Sequence, residues 1–184
     1  MIALILKSFN PTNPSSDKIN LRNRNVTYKF VYTTSKIKTM SNAPFVIEKV
    51  YNAPAAKVWK AITDVNDMKQ WYFDLAEFKP EVGFEFNFTA GPEEKLYKHV
   101  CKVIEVVPGK KLTYTWRYEG FEGNSAVSFE LFPEGDKTRL KLTHTGLETF
   151  PSAVDPNFAK ESFAAGWTDI IGNNLKAFVE KTVD

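Results

Sequence analysis

Leu112-Thr-Tyr-Thr-Trp-Arg-Tyr118 alternates without a break. Its even positions, Leu112, Tyr114, Trp116 and Tyr118, are large and mostly apolar, while Thr113, Thr115 and Arg117 between them are polar. Successive side chains of a strand point to opposite faces, so strict alternation means one face buried and one wet, as in antiparallel sheet. The same pattern continues in both directions. Phe84, Phe86 and Phe88 alternate with Glu85 and Asn87 over Gly83–Thr89. Val127, Phe129 and Leu131 alternate with Ser128 and Glu130, and Leu140, Leu142 and His144 alternate with Arg139, Lys141 and Thr143. Turn signals separate these runs at Gly91-Pro92, Pro108-Gly109, Gly120 to Gly123 and Pro133-Glu-Gly-Asp136. In Leu96–Val107 the buried parity holds through Tyr97, His99, Cys101 and Val103, then passes to Ile104 and Val106. A bulge near Val103 would restore the register and bend the strand.

Farther out, Phe45–Tyr51 reads as a first strand ending at Asn52-Ala-Pro54. Pro54 suits a helix start, where one N–H would go unbonded anyway. Val58, Trp59 and Ile62 follow helical spacing, and Asp64 is placed to cap a second short helix containing Met68 and Trp71. This helical corner is not markedly basic, so it is not read as a DNA-binding element. The last segment, Asn157 to Thr182, is expected as one helix with a stripe of Phe163, Trp167, Ile170, Ile171, Leu175, Phe178 and Val179. At 1.5 Å per residue it would span about 39 Å. Gly166 and Gly172 within it serve close packing on the sheet or a bend over a cavity. The expected fold is α+β: a curved antiparallel sheet of about seven strands, two short helices, and one long C-terminal helix over the concave face.

Composition narrows the function. Aromatic residues make up 14% of the 184, which implies a heavy core or a ring-lined pocket. The one cysteine, Cys101, excludes an intramolecular disulfide and a thiolate-rich zinc site. No apolar run is long enough for a membrane span. Met1–Phe9 has its only basic residue, Lys7, after the apolar stretch, the reverse of a secretory signal, so a cytoplasmic location is expected. Charge is uneven: residues 1–39 hold seven Lys/Arg against Asp17 alone, while residues 40–184 hold 17 Lys/Arg against 21 Asp/Glu. The first 43 residues, with a weak strand-like patch at Val26–Tyr32, are read as a disordered basic tail, or as an extension upstream of a start at Met40. An arm for nucleic acid or anionic lipid is the alternative, and no nucleic-acid partner is expected. Residues 44–184 form the domain.

Several blocks together resemble a known family. They are Ala53-Pro54 with Val58-Trp-Lys-Ala-Ile-Thr-Asp64 and Trp71, Pro80-Glu-Val-Gly83, Val103-Ile-Glu-Val-Val-Pro108, Leu112 to Trp116, Leu142-Thr-His-Thr-Gly146, and Gly166-Trp167 with Leu175. Over about residues 44–182 the chain is similar to the activator of heat-shock-protein-90 ATPase homologues, within the START-like, or SRPBCC, superfamily that includes the birch pollen allergen. The resemblance implies a helix-grip fold with a cavity between the last helix and the sheet. Relatives bind lipids, hormones or polyketides, and a few are cyclases. The eukaryotic chaperone activator carries a further N-terminal chaperone-binding domain, and 39 polar tail residues cannot build such a core. The family name is therefore no argument for chaperone activation, although a chaperone-type interaction module stays among the alternatives.

Chemistry has few candidates. His99 and Cys101 share one face of a strand and His144 points to the apolar face of another, which allows a Cys–His pair, but a lone strand Cys is usually a small buried hydrophobe, an inward His is usually a hydrogen-bonded core residue, and no active-site motif matches. A metal centre needs three or four ligands in workable geometry, His99, His144 and Cys101 are the only soft candidates, and no phosphate loop or His-Glu-x-x-His pattern occurs, so no cofactor and no metal are expected. What remains is aromatic. Trp71, Phe84, Phe86, Tyr97, His99, Tyr114, Trp116, Phe129, His144, Phe163, Trp167 and Ile171 are expected to line a cavity for a small hydrophobic or amphipathic ligand, bound without catalysis. A cyclase or hydratase using a cavity histidine is the enzymatic alternative.

Overall fold

Alternation in the sequence becomes alternation in burial. The computed structural model describes residues 42–181, so the basic segment and the patch at Val26–Tyr32 lie outside the described residues. Six strands form one antiparallel sheet: β1 (Phe45–Tyr51), β2 (Glu85–Ala90), β3 (Tyr97–Val107), β4 (Lys111–Tyr118), β5 (Ser125–Glu134) and β6 (Lys137–Thr145). Their order across the sheet is β1-β6-β5-β4-β3-β2. The expected count of about seven was one too many. Between the helical corner and β2, the backbone of residues 79–84 closes local turns, with Glu81 N–H on the Lys79 carbonyl and Phe84 N–H on that of Glu81.

The register of β3 shifts against β4 between Val103 and Glu105, where the parity of the sequence changes. One extra residue there carries Tyr97, His99, Cys101 and Val103 on the buried face while Ile104 and Val107 stay exposed. Gly123, in the turn before β5, has φ 110, and a Cβ on it would meet the Phe150 ring at 2.3 Å. Only glycine fits that approach.

The helical corner comprises α1 (Ala55–Thr63) and α2 (Val65–Met68). Asp64 Oδ1 accepts from the N–H groups of Asn66 and Asp67, each at 3.0 Å, which caps α2 as its position implied. Trp71 falls just past α2, and its indole N–H donates to the Ala61 carbonyl at 3.0 Å, bracing the corner.

The last helix differs from its expected form. Pro156–Phe158 are a separate 3₁₀ turn, capped by Asp155, and Ala159 is extended. The helix proper then runs through α3 (Lys160–Asp169), a π-turn (Ile170–Asn174) and α4 (Leu175–Val179). Its length is about 30 Å at 1.5 Å per residue. The π-turn holds Gly172, where a Cβ would meet only the far end of the Lys49 side chain, at 3.3 Å, a contact that a flexible lysine can relieve. Tyr51 Oη donates to the Ile171 carbonyl at 2.8 Å and ties β1 to the π-turn. A wide turn loosens the regular ladder and leaves carbonyls free for such a bond.

Candidate functional site

β3 and β4 end beside α3, and the side chains there do not fill the space between them. A recess of about 360 Å³ remains. His99 from β3 and Trp116 and Tyr118 from β4 line its sheet side; Phe163 and Trp167 line its helix side; Phe73, from the segment after α2, and Phe158 join them. Trp116, His99, Trp167, Phe158 and Phe163 are buried, whereas Gly91, Pro92, Ser162 and Gly166 are exposed and form the mouth. A Cβ on Gly166 would meet nothing within 4 Å. Close contact therefore does not explain this glycine; its effect is to keep a side chain out of the mouth.

The polar groups of the recess are mostly committed. Tyr97 Oη donates to Asp155 Oδ2 at 2.6 Å and accepts from Asn157 Nδ2 at 2.9 Å. Lys95 joins the same carboxylate at 2.7 Å. Its hydrogen bond, followed by that from Tyr97, holds the Asp155 pKa down to about 2. Ser162 Oγ donates to the Pro156 carbonyl at 3.1 Å. His99 Nδ1 lies 3.0 Å from the Tyr97 carbonyl, and a carbonyl only accepts, so this nitrogen carries the proton. The His99 ring stacks on Phe88 at 4.3 Å and 11° and meets Trp116 edge-on at 4.8 Å. Burial lowers its pKa to about 4, opposed in part by the carbonyls of Tyr97 and Phe88. A base that weak is poorly matched to proton transfer near neutrality.

Among the described residues, one fully buried side-chain donor has no partner. Trp116 Nε1 is buried and makes no hydrogen bond. The neighbouring Tyr118 hydroxyl, pushed up by burial, is close enough for the Trp116 indole to ease that shift, but the two do not meet in hydrogen-bonding geometry. A buried donor left unmade costs more than a formed bond returns.

His144 is built differently. It is wholly enclosed and does not line the recess. Trp167 Nε1–H donates to His144 Nδ1 at 2.9 Å, so the proton is on Nε2, which donates to Ser125 Oγ at 2.8 Å. The Ser125 hydroxyl in turn donates to the Trp116 carbonyl at 3.0 Å. Every site in this chain is used, and burial lowers the His144 pKa to about 3. This histidine fastens α3 to β5 and β4; it has no proton or lone pair to offer. The Cys101 thiol is buried and pushed well up from its ordinary value, which leaves no thiolate to act as a nucleophile.

Of the twelve residues expected to line a cavity, Tyr97, His99, Trp116, Phe163 and Trp167 do border the recess. The other seven stand elsewhere. Phe84 precedes β2, is half-buried and packs edge-on to Phe78. Phe86 and Phe129 pack against Tyr114, whose hydroxyl pairs with that of Tyr72 at 2.9 Å. Ile171 is held by its carbonyl bond to Tyr51, and His144 by the chain above. Trp71 borders a surface depression with Lys69 and Phe178, away from the recess. Tyr118, Phe73, Phe158 and the mouth glycines were not expected as site residues. Tyr118 shares the parity of Trp116, so its signal was present; Phe73 lies in an irregular segment with no period to mark it.

Among the described residues, no group of three or more His, Cys, Asp or Glu is placed to hold a metal ion, and no helix is long and apolar enough to cross a membrane. The family model for Activator of Hsp90 ATPase homolog 1-like protein matches residues 52–180. Solved structures share the fold. Protein MLL2253 from Mesorhizobium loti is 26% identical with a TM-score of 0.63, over 77% of this chain and 99% of its own. BH1534 from Bacillus halodurans is 27% identical with a TM-score of 0.57, over 74% and 96%. CalU16 from Micromonospora echinospora is 25% identical with a TM-score of 0.56, over 76% of each chain. A search of curated proteins returns no match. The match to the family model over most of the described residues, on a helix-grip arrangement of six strands and a C-terminal helix, makes this chain a member of the Activator of Hsp90 ATPase homolog 1-like family.

Proposed function

We propose that the recess beside α3 takes up a small apolar or amphipathic molecule reversibly, with no covalent step. The observation that carries this reading is a space of about 360 Å³ walled by buried rings and opened at one side by Gly91, Pro92 and Gly166. That volume falls within the range of small-molecule sites, which are mostly apolar with a few placed polar groups. Absence of catalysis is supported by the state of the candidate groups: His99 is a weak base, His144 is fully bonded and Cys101 is a buried thiol.

The test is equilibrium dialysis against neutral aromatic and alicyclic compounds of one to three rings, repeated with Gly166→Trp. Saturable binding with one site per chain is expected, weakened at least tenfold when an indole fills the mouth. Failure of every compound to bind saturably, or binding indifferent to Gly166→Trp, contradicts the reading. The enzymatic alternative rests on His99 alone, since it is the one histidine in the wall. Conversion of a bound compound that stops in His99→Gln would establish it.

A further inference from the structure

The recess has a directional feature beyond its apolar character. No Lys, Arg, Asp or Glu side chain lines it. Of its polar groups, Tyr97, Asn157, Ser162 and His99 Nδ1 are hydrogen-bonded within the protein. Trp116 is 4% exposed, lines the recess, and its Nε1 is the one buried side-chain nitrogen or oxygen among the described residues without a partner. Evolution of a well-packed wall tends to remove such a group or satisfy it, because each costs stability when left unmade. An acceptor brought by a bound molecule satisfies it.

Resting on the ligand-binding reading above, we infer that the recess selects neutral molecules bearing a carbonyl oxygen, which accepts a hydrogen bond from Trp116 Nε1. The indole N–H is a donor only, so the ligand must supply the acceptor. A carboxylate is disfavoured, because no cation lines the wall to offset removal of its charge from water. A plain hydrocarbon fills the space but leaves the donor unmade. Nε1 is closed to solvent, so the carbonyl reaches it by a shift of the rings around it, among them the half-buried Tyr118, whose ring centroid lies 6.4 Å from that of Trp116. Side-chain rotamer changes of this kind are common on binding.

Three probes of nearly one shape separate these terms: 2-acetonaphthone, 2-ethylnaphthalene and 2-naphthoate. Affinities are measured for the intact protein and for Trp116→Phe, and the indole ¹H–¹⁵N signals are followed during each titration. The ketone is expected to bind about fivefold to tenfold tighter than the hydrocarbon, and the carboxylate weakest. The Trp116 indole proton moves downfield with the ketone and not with the hydrocarbon. In Trp116→Phe the ketone and the hydrocarbon bind alike. Equal affinities in the intact protein, or a Trp116 indole signal unmoved by saturating ketone, overturn the inference while leaving the recess a binding site. If none of the three binds while other compounds of the dialysis panel do, the inference falls and the ligand-binding reading stands; if nothing in the panel binds, both fall. The indole signal is read on the unaltered protein, so the result does not depend on how Trp116→Phe folds.

Discussion

The C-terminal helix covers two regions made of similar residues and finished differently. Beneath the π-turn and α4, Ile171, Leu175 and Val179 are 0% exposed, and so are Tyr51, Leu140 and Leu142 of the strands. Polar atoms there are paired: Tyr51 with the Ile171 carbonyl, and Tyr72 with Tyr114. Beneath α3 the rings are as large, yet a recess remains, Gly166 leaves its mouth open and Trp116 Nε1 has no partner. Trp167 stands between, in contact with Trp116 on one side and with Phe129 and Tyr72 on the other. Hydrophobic content therefore does not distinguish a closed core from an open recess. What distinguishes them is whether volume and hydrogen-bonding capacity are used up within the protein.

The comparison predicts unequal responses to truncation. Leu175→Ala removes side-chain volume from a region with no slack and is expected to cost about 2–5 kcal/mol. Phe163→Ala, beside existing space, should cost less than a typical Phe truncation of about 3–5 kcal/mol. Urea unfolding of both variants checks this; equal losses would mean that the two halves are packed alike.

Acid is the next largest effect, and it acts on both regions. His99 and His144 are neutral in the fold, with pKa values lowered to about 4 and about 3, while the unfolded chain protonates them near 6.5. Their contribution is fully present above pH 6.5 and is lost as the pH falls toward those folded values, because the unfolded state binds the protons first. Each histidine gives a slope of about 1.4 kcal/mol per pH unit within that range. Urea unfolding between pH 7 and 5 should show this for the intact chain, and His99→Gln should halve it. Asp155 works at lower pH: its contribution holds above the ordinary carboxylate value and disappears as the pH falls toward about 2.

The smallest effect sharpens the role of the mouth. Gly166 is exposed within α3 and a Cβ there meets nothing. Gly166→Ala should therefore raise stability by about 0.5–1 kcal/mol, visible as a higher urea midpoint with an unchanged slope. Loss of stability instead would show that the glycine serves a backbone need.

Much of the fold was legible because alternation has physical meaning. The parity of Leu112–Tyr118 and its neighbours located the strands, the change of parity at Val103 located the bulge, and Asp64 marked the second helix start. The start of the last helix was not legible, since Pro156 and Asp155 begin a 3₁₀ turn that a helical stripe absorbs without contradiction. The candidate site was half legible for a related reason. Parity shows that Tyr114 and Trp116 face the same way; it does not show that one meets Tyr72 and the other a recess. That depends on position along the strand relative to α3, and on Phe73, which no period announces.

The contrast between the two halves is tested most directly by ¹H–¹⁵N spectra of the protein titrated with 2-acetonaphthone. The indole signals of Trp116 and Trp167 and the amides of residues 162–167 should shift together and saturate, while those of residues 175–179 stay in place. Shifts spread equally over both halves, or confined to the surface depression near Lys69 and Phe178, would contradict a ligand site beside α3.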